Sequence, residues 1–549
     1  MSLPLVAFGT RHTLSEQDNP TRGIGAAVDW GADTFRAISA QCGQCLEVVL
    51  PEAMVQGNRI PTPTRLRNAV AIQRGTERPD EVVIIQGHID SRVSDVMDFT
   101  SDAPGANDDA SGTALAIEAA RVLSKHKYPT TIVYALLSGE EQGLYGGRLL
   151  AEYAAEQGWT VKAVLNNDIV GNSCGSDGYC DPDHVRVFSE GPRADLTDAV
   201  RAAQRRDGGE NDSPGRNLSR FIADLAESRE GGIAVRQIWR TDRMGRGGDQ
   251  IPFLEKGYPA IRFSVAVEDY DHQHQDLRTE DGTVYGDTID EMDFAYLARV
   301  TQLNVAVAAR LAGAPMPPAP RAEAAVRNDT LIRWGGVPGA MVYTIVGRRT
   351  DEPYWTRDIA IVNYETRSPA MPATPVAERV HEFTVPLRGD DWIFGVSACS
   401  TSGACSPVAS AAGRAGGAAP AAARRVAVVG HGGGAAPAAD DRAGGAARRQ
   451  RHPRGLRGQR QARPRTARGL QRGAGGGCRA DRADARSARG DGCRNACAAA
   501  TGGLSGWRGS KPSKRCARIS RRRCRRCSPS IWIMWTTRVS RSCGAVPSC

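Results

Sequence analysis

Five short stretches hold residue types able to bind a metal ion or move a proton: His88-Ile89-Asp90, Asn107-Asp108-Asp109, Ser138-Gly139-Glu140-Glu141, Asn166-Asn167-Asp168 and His272-Gln273-His274. Imidazole and carboxylate are the nitrogen and oxygen donors that zinc accepts. In the first stretch, residues two apart in an extended chain share one side. Asp90 can therefore orient His88 and fix its tautomer from behind; a lone His after a strand also occurs as a purely structural residue. The aspartate pair between Gly105 and Gly112 can set one carboxylate between two cations, or simply cap a helix. Adjacent glutamates point different ways, so Glu140 can face a substrate water as a base while Glu141 binds metal. A solvated loop is the plainer alternative. Asp168 has no Lys or Arg within five residues, so it calls for a metal, hydrogen bonds or a partner from a distant segment.

The elements that would position these residues follow from apolar periodicity. Glu81–Gln86, Thr130–Leu137 and Val161–Leu165 are apolar runs that read as buried strands. They end just before His88, Ser138 and Asn166. Between them, Ser111–Lys125 and Leu144–Gln157 have helical spacing, with Ser111 as the expected cap of the first. Pro259–Val265 is a late strand before the histidines, and Phe294–Leu311 a closing helix. The expectation is an α/β fold, a mixed β-sheet flanked by helices, with three successive strand ends carrying donors at the edge where open α/β sheets bind ligands.

Beyond a Pro-rich linker over 313–321, residues 322–412 alternate in the period-two manner of strands, which predicts a small all-β sandwich. It resembles a fibronectin type III module, with Trp334 as core anchor. Residues 413–549 are Ala-, Gly- and Arg-rich, a composition that cannot bury enough surface to offset chain entropy. Two readings of this stretch stand: a disordered basic arm, or a shifted reading frame. Eight scattered cysteines and the run Ser530–Trp535 favour the shifted frame.

Charge divides at the same place. The chain's 71 Lys and Arg and 61 Asp and Glu fall as 31 and 5 in residues 414–549, and as 40 and 56 before them. The net +10 therefore describes neither part: the tail is +26, the body −16. This removes the overall basicity as a reason to expect a nucleic-acid partner. The body's six cysteines form close pairs, Cys42 with Cys45, Cys174 with Cys180 and Cys399 with Cys405, a pattern of local disulfides in a secreted or periplasmic protein. Free buried thiols and, for Cys42 and Cys45, redox or zinc-knuckle spacing are the alternatives. Residues 1–8 do not read as a signal peptide, which suggests a truncated N-terminus. No apolar run reaches the ~20 residues of a membrane span.

The order His-x-Asp, Asp-Asp, Glu-Glu, Asp and a distant His resembles the dizinc aminopeptidases of metallopeptidase family 28, over roughly residues 1–312. The Gly105–Gly112 and Ser138–Gly147 motifs are specific in combination. The resemblance implies two zinc ions: His88 and Asp168 on one, Glu141 and a late His on the other, Asp108 between them and Glu140 as general base, with Asp109 supporting the turn. It implies His274 as the late His, with His272 as the alternative. Gly247-Gly248-Asp249-Gln250 resembles a family pocket loop, with Gln250 where the family has His. The implied activity is release of N-terminal residues from peptides. The alternatives are a carboxypeptidase, a glutaminyl cyclase or an inactive receptor-like domain. The oligomeric state is not legible.

Overall fold

The computed structural model describes residues 2–229, 231–363 and 379–412, all within one compact unit. The stretch expected to be disordered or out of frame, residues 413–549, lies outside the described residues. Strands β1 (Glu47–Val49), β2 (Ala69–Gln73), β3 (Arg78–His88), β4 (Thr130–Leu137), β5 (Thr160–Asn167), β6 (His184–Phe188), β7 (Ala234–Ile238) and β8 (Ala260–Val265) form one sheet in the order β1-β2-β4-β3-β5-β8-β6-β7. The central strands β4, β3, β5 and β8 are parallel. On one side β2 runs antiparallel to β4 and β1 antiparallel to β2, and on the other β6 runs antiparallel to β8, so the sheet is mixed.

Burial on both faces explains the uninterrupted apolar runs. In β4, Ile132, Tyr134 and Leu136 enter one core layer while Val133, Ala135 and Leu137 enter the other, the period-two alternation of a strand covered twice. Each fully buried Ile, Val or Leu among them contributes about 1.5–3 kcal/mol. Helices Gly23–Gln41, Ala110–Leu123, Pro214–Glu227 and Phe294–Gly313 cover the first face, and Tyr145–Glu156 the second. The helix after β3 starts one residue earlier than its periodicity predicts. Asp109, not Ser111, is its cap and accepts from Gly112 N at 2.9 Å. Ser111 lies inside the first turn and donates to Asn107 O at 2.7 Å.

Residues 321–412 form small antiparallel sheets. Arg321–Glu323, Thr330–Gly335 and Val380–Val385 make one; Arg357–Asn363, Val342–Arg349, Trp392–Cys399 and Ala409–Ser410 make the other. Ile332, Trp334, Tyr343, Ile345, Val385 and Phe394 fill the space between them. These sheets are held to the α/β part by buried Asp212, which accepts from Arg220 at 3.0 Å, Arg348 at 2.8 Å and Ser410 at 3.1 Å. The three cysteine pairs are disulfides, so Cys42 and Cys45 are not a zinc knuckle. No described helix is long and apolar enough to cross a membrane.

Candidate metal centre

The C-terminal ends of β3, β4 and β5 bring four of the five stretches together, and the loop after β8 adds the fifth. His88 is the last residue of β3, and its Nε2 lies 3.0 Å from Asp108 Oδ1 and 3.9 Å from Asp168 Oδ1. Asp108 Oδ2 lies 2.8 Å from His274 Nε2, which is also 2.9 Å from Glu141 Oε1. One carboxylate thus divides its two oxygens between two imidazoles. Two groups able to hold a metal ion share it: His88, Asp108 and Asp168, and Asp108, Glu141 and His274. Glu140 reaches the same cluster beside His88 and Glu141.

His272 lies apart. Its ring sits between Asp269 Oδ2, 2.8 Å from Nδ1, and Glu291 Oε1, 3.4 Å from Nε2. Of the two late histidines, only His274 joins the groups containing Asp108. It occupies a left-handed backbone position at φ 58°, an uncommon conformation for a residue other than glycine. Ile169, next to Asp168, adopts φ 52°, costly for a β-branched residue. Its N–H donates to Asp109 Oδ1 at 3.2 Å and its carbonyl accepts from Val265 at 2.8 Å.

The supporting aspartates work through backbone. Asp109 Oδ2 accepts from His88 N at 2.9 Å, so one side chain ties the end of β3 to the helix start and to Ile169. Asp90 lies 3.5 Å from His88 Nδ1, and its two oxygens accept from the amides of Glu140 and Glu141 at 3.2 and 3.1 Å. It therefore positions both glutamates as well as the imidazole. Gln250 points away into a buried network, donating to Asp242 Oδ2 at 2.6 Å and Thr241 O at 3.2 Å.

The cluster holds more negative charge than its own cations neutralise. Burial pushes the Glu140 carboxyl well above the ordinary carboxylate value; His88 opposes this, while Asp168, Glu141 and Asp249 reinforce it. Burial likewise raises Asp168 against the pull of Arg262, and raises Asp249 to about 7. Burial favours neutral His88, yet the adjacent carboxylates of Asp108, Asp109, Asp90 and Asp168 raise it well above its usual value. His88 Nε2 and Glu141 Oε1 are buried with no hydrogen-bond partner, an arrangement that costs about 1–3 kcal/mol for each atom. A cation between such atoms removes that cost, and the nitrogen and oxygen donor set suits zinc.

Sequence reasoning missed four residues that shape this centre. Asp168 does have a cationic partner, Arg262, fully buried on β8 at 2.7 Å. A lone Arg within the apolar run Ala260–Val265 was the readable signal, because a buried charge must be paired. Arg92 donates to Glu141 Oε2 at 2.9 Å and contacts His274 Nδ1 at 2.5 Å. Arg11, with no exposed surface, donates to the carbonyls of Ile89 at 2.7 Å, Pro104 at 2.5 Å and Gly105 at 3.0 Å. It thereby joins the loop after His88 to the loop before Asp108. Asp287 accepts from the amides of Asn107 at 2.8 Å and Asp108 at 2.7 Å. No local pattern marks Arg11 or Asp287.

Residues 68–298 match the sequence pattern of peptidase family M28. A probable zinc metalloprotease of Leptosphaeria maculans is 46% identical over 409 residues, spanning 73% of this chain and 91% of that protein. Among solved structures, the LapA aminopeptidase of Legionella pneumophila aligns with 57% of this chain and 69% of its own, at 20% identity and a TM-score of 0.39. The glutaminyl cyclase of Porphyromonas gingivalis aligns with 56% and 94%, at 18% identity and a TM-score of 0.38.

Proposed function

This chain belongs to peptidase family M28 and is a zinc metalloprotease, and on that premise we propose that it is a dizinc aminopeptidase acting on peptide N-termini. The observation that carries the proposal is Asp108, whose two oxygens face His88 and His274 separately. His88 and Asp168 would hold one zinc, Glu141 and His274 the other, and Asp108 both. Bound zinc supplies Lewis acidity and lowers the pKa of the attacking water.

The chain's own residues do the rest. Glu140, beside His88 and Glu141, takes the water's proton and delivers it to the leaving amine. Asp90 holds Glu140 and Glu141 by their amides, so base and ligand keep a fixed spacing. Asp109 and Asp287 hold the chain on either side of Asp108. Arg92 and Arg262 limit the mutual repulsion of the carboxylates. We also propose residues 1–312 as the catalytic domain, an oxidising compartment in keeping with three disulfides, and a fibronectin type III-like module over 322–412. The last reading is carried by the three- and four-stranded sheets alone.

The test is hydrolysis of amino-acid p-nitroanilides by the zinc-loaded chain, abolished by chelation and restored by zinc. Activity confined to free C-termini would replace the reading with a carboxypeptidase, and cyclisation of N-terminal glutamine with a glutaminyl cyclase. A zinc-loaded chain inert towards all three substrates would favour a receptor-like domain.

A further inference from the structure

The three carboxylates of the proposed centre are steadied in two different ways. Glu141 Oε2 accepts from Arg92 at 2.9 Å, and Asp168 Oδ1 from Arg262 at 2.7 Å. Asp108, the carboxylate that faces both imidazoles, forms no ion pair with a described Lys or Arg. Its support is an uncharged amide: Gln273 Nε2 donates to Asp108 Oδ2 at 2.8 Å. A carboxylate only accepts, so the NH2 end of the amide is the end that faces it.

This contact is built into the turn after β8. Gln273 N donates to Asp269 O at 3.0 Å, closing one helical turn, and neighbours in sequence on such a turn do not face each other. His274 leaves the turn with φ 58°, a left-handed conformation. The amide of one residue and the ring of the next thereby meet at one oxygen, with His274 Nε2 also 2.8 Å from Asp108 Oδ2. Each carboxylate oxygen has two lone pairs. Gln273 takes one on Oδ2, which leaves the other to the group that Asp108 forms with Glu141 and His274.

The missing charge on Gln273 matters as much as its N–H. An ammonium or guanidinium here would repel a cation held on either side of Asp108. A neutral donor fixes the plane of the shared carboxylate and leaves its negative charge whole.

We propose that Gln273 is a positioning residue for the shared carboxylate, an uncharged donor that acts on the site formed with Glu141 and His274. The assignment rests on the dizinc reading and adds to it a side chain that touches no metal.

The experiment measures zinc affinity of the full chain by competition with a chelator, in the wild type, Gln273→Met and Gln273→Lys. Denaturant unfolding of each metal-free chain reports the fold. Methionine fills a similar volume and donates nothing, so Gln273→Met should weaken one of two zinc ions about 10–100-fold, the range for a lost outer support. The metal-free midpoint should stay where it is. In His274→Ala, which keeps only the His88 site, adding Gln273→Met should leave the remaining affinity unchanged. Gln273→Lys restores a donor but adds charge, and should weaken both sites. Two zinc ions held by Gln273→Met with wild-type affinity overturn the assignment and leave the dizinc reading standing. An equal loss at both sites with a lowered midpoint marks general loosening and overturns it too. Wild-type affinity in Gln273→Lys overturns the need for an uncharged donor. A wild type that takes up fewer than two zinc ions overturns the dizinc reading, and the assignment with it.

Discussion

Where the α/β part meets the β sheets, one buried carboxylate, Asp212, meets two arginines; at the ends of β3, β4 and β5, six carboxylates meet two. At the junction both Asp212 oxygens are partnered by Arg220, Arg348 and Ser410. The excess positive charge lies against aromatic faces, with Arg220 5.1 Å from the Trp239 ring and Arg348 5.4 Å from Trp355. At the sheet edge, Asp90, Asp108, Asp109, Glu140, Glu141 and Asp168 form ion pairs with only Arg92 and Arg262 among the described arginines and lysines. His88 Nε2 and Glu141 Oε1 are left without hydrogen bonds. The junction satisfies its one carboxylate from within and holds two parts of the chain together, with Arg220 Nη2 and Arg348 Nε left without hydrogen bonds. The sheet edge leaves its balance open to a cation from outside, which is what a metal centre requires and a stability element avoids.

The two regions should differ most at Glu140. Glu140→Ala should keep zinc while lowering kcat by about 10²–10⁴, the range for loss of a general base. Zinc analysis beside turnover checks it, and lost zinc would mean that Glu140 and Glu141 have exchanged roles. On the junction side, Asp212→Ala strands two buried arginines and should destabilise by about 3–5 kcal/mol. Denaturant unfolding reads the loss, and an unchanged midpoint would show that the junction is not self-contained. Between the two regions in size, Arg11→Met and Asp287→Asn remove supports of the ligand loops. Each should weaken zinc binding about 10–100-fold, as loss of outer supports does, measured by competition with a chelator. Retained affinity would show that the loops hold themselves.

The smallest effect concerns pH. Burial raises Glu190 from its ordinary value to about 7, so the folded chain binds that proton more tightly than the unfolded one. The stability this contributes is complete below about pH 4.5 and is lost as the pH rises through about 7. Glu190→Gln should flatten that decline in pH-dependent unfolding curves; an unaltered slope would contradict the assignment.

Much of the fold and of the donor set was legible because the physics behind both is local. β4 is apolar throughout because both its faces are covered, and that pattern survives in one dimension. The donors follow strand ends, so their order along the chain matches their proximity at one sheet edge. The arginines were not legible in the same way. Arg262 is 94 residues from Asp168, and Arg11 is 78 from Ile89, so only strand order and loop closure bring them in. The choice between His272 and His274 depended on side-chain direction around a tight turn that includes a left-handed residue, which spacing alone does not encode. Sequence placed the helix cap at Ser111 rather than Asp109 because it cannot weigh one side chain's competing duties at His88, Gly112 and Ile169.

If Asp108 joins two zinc sites into one centre, zinc counted in the wild type, His274→Ala and Asp108→Ala should come to two ions per chain, one after loss of His274, and weakened binding of both after loss of Asp108. A wild type that saturates at one zinc, or an Asp108→Ala chain that still holds two with unchanged affinity, would contradict it.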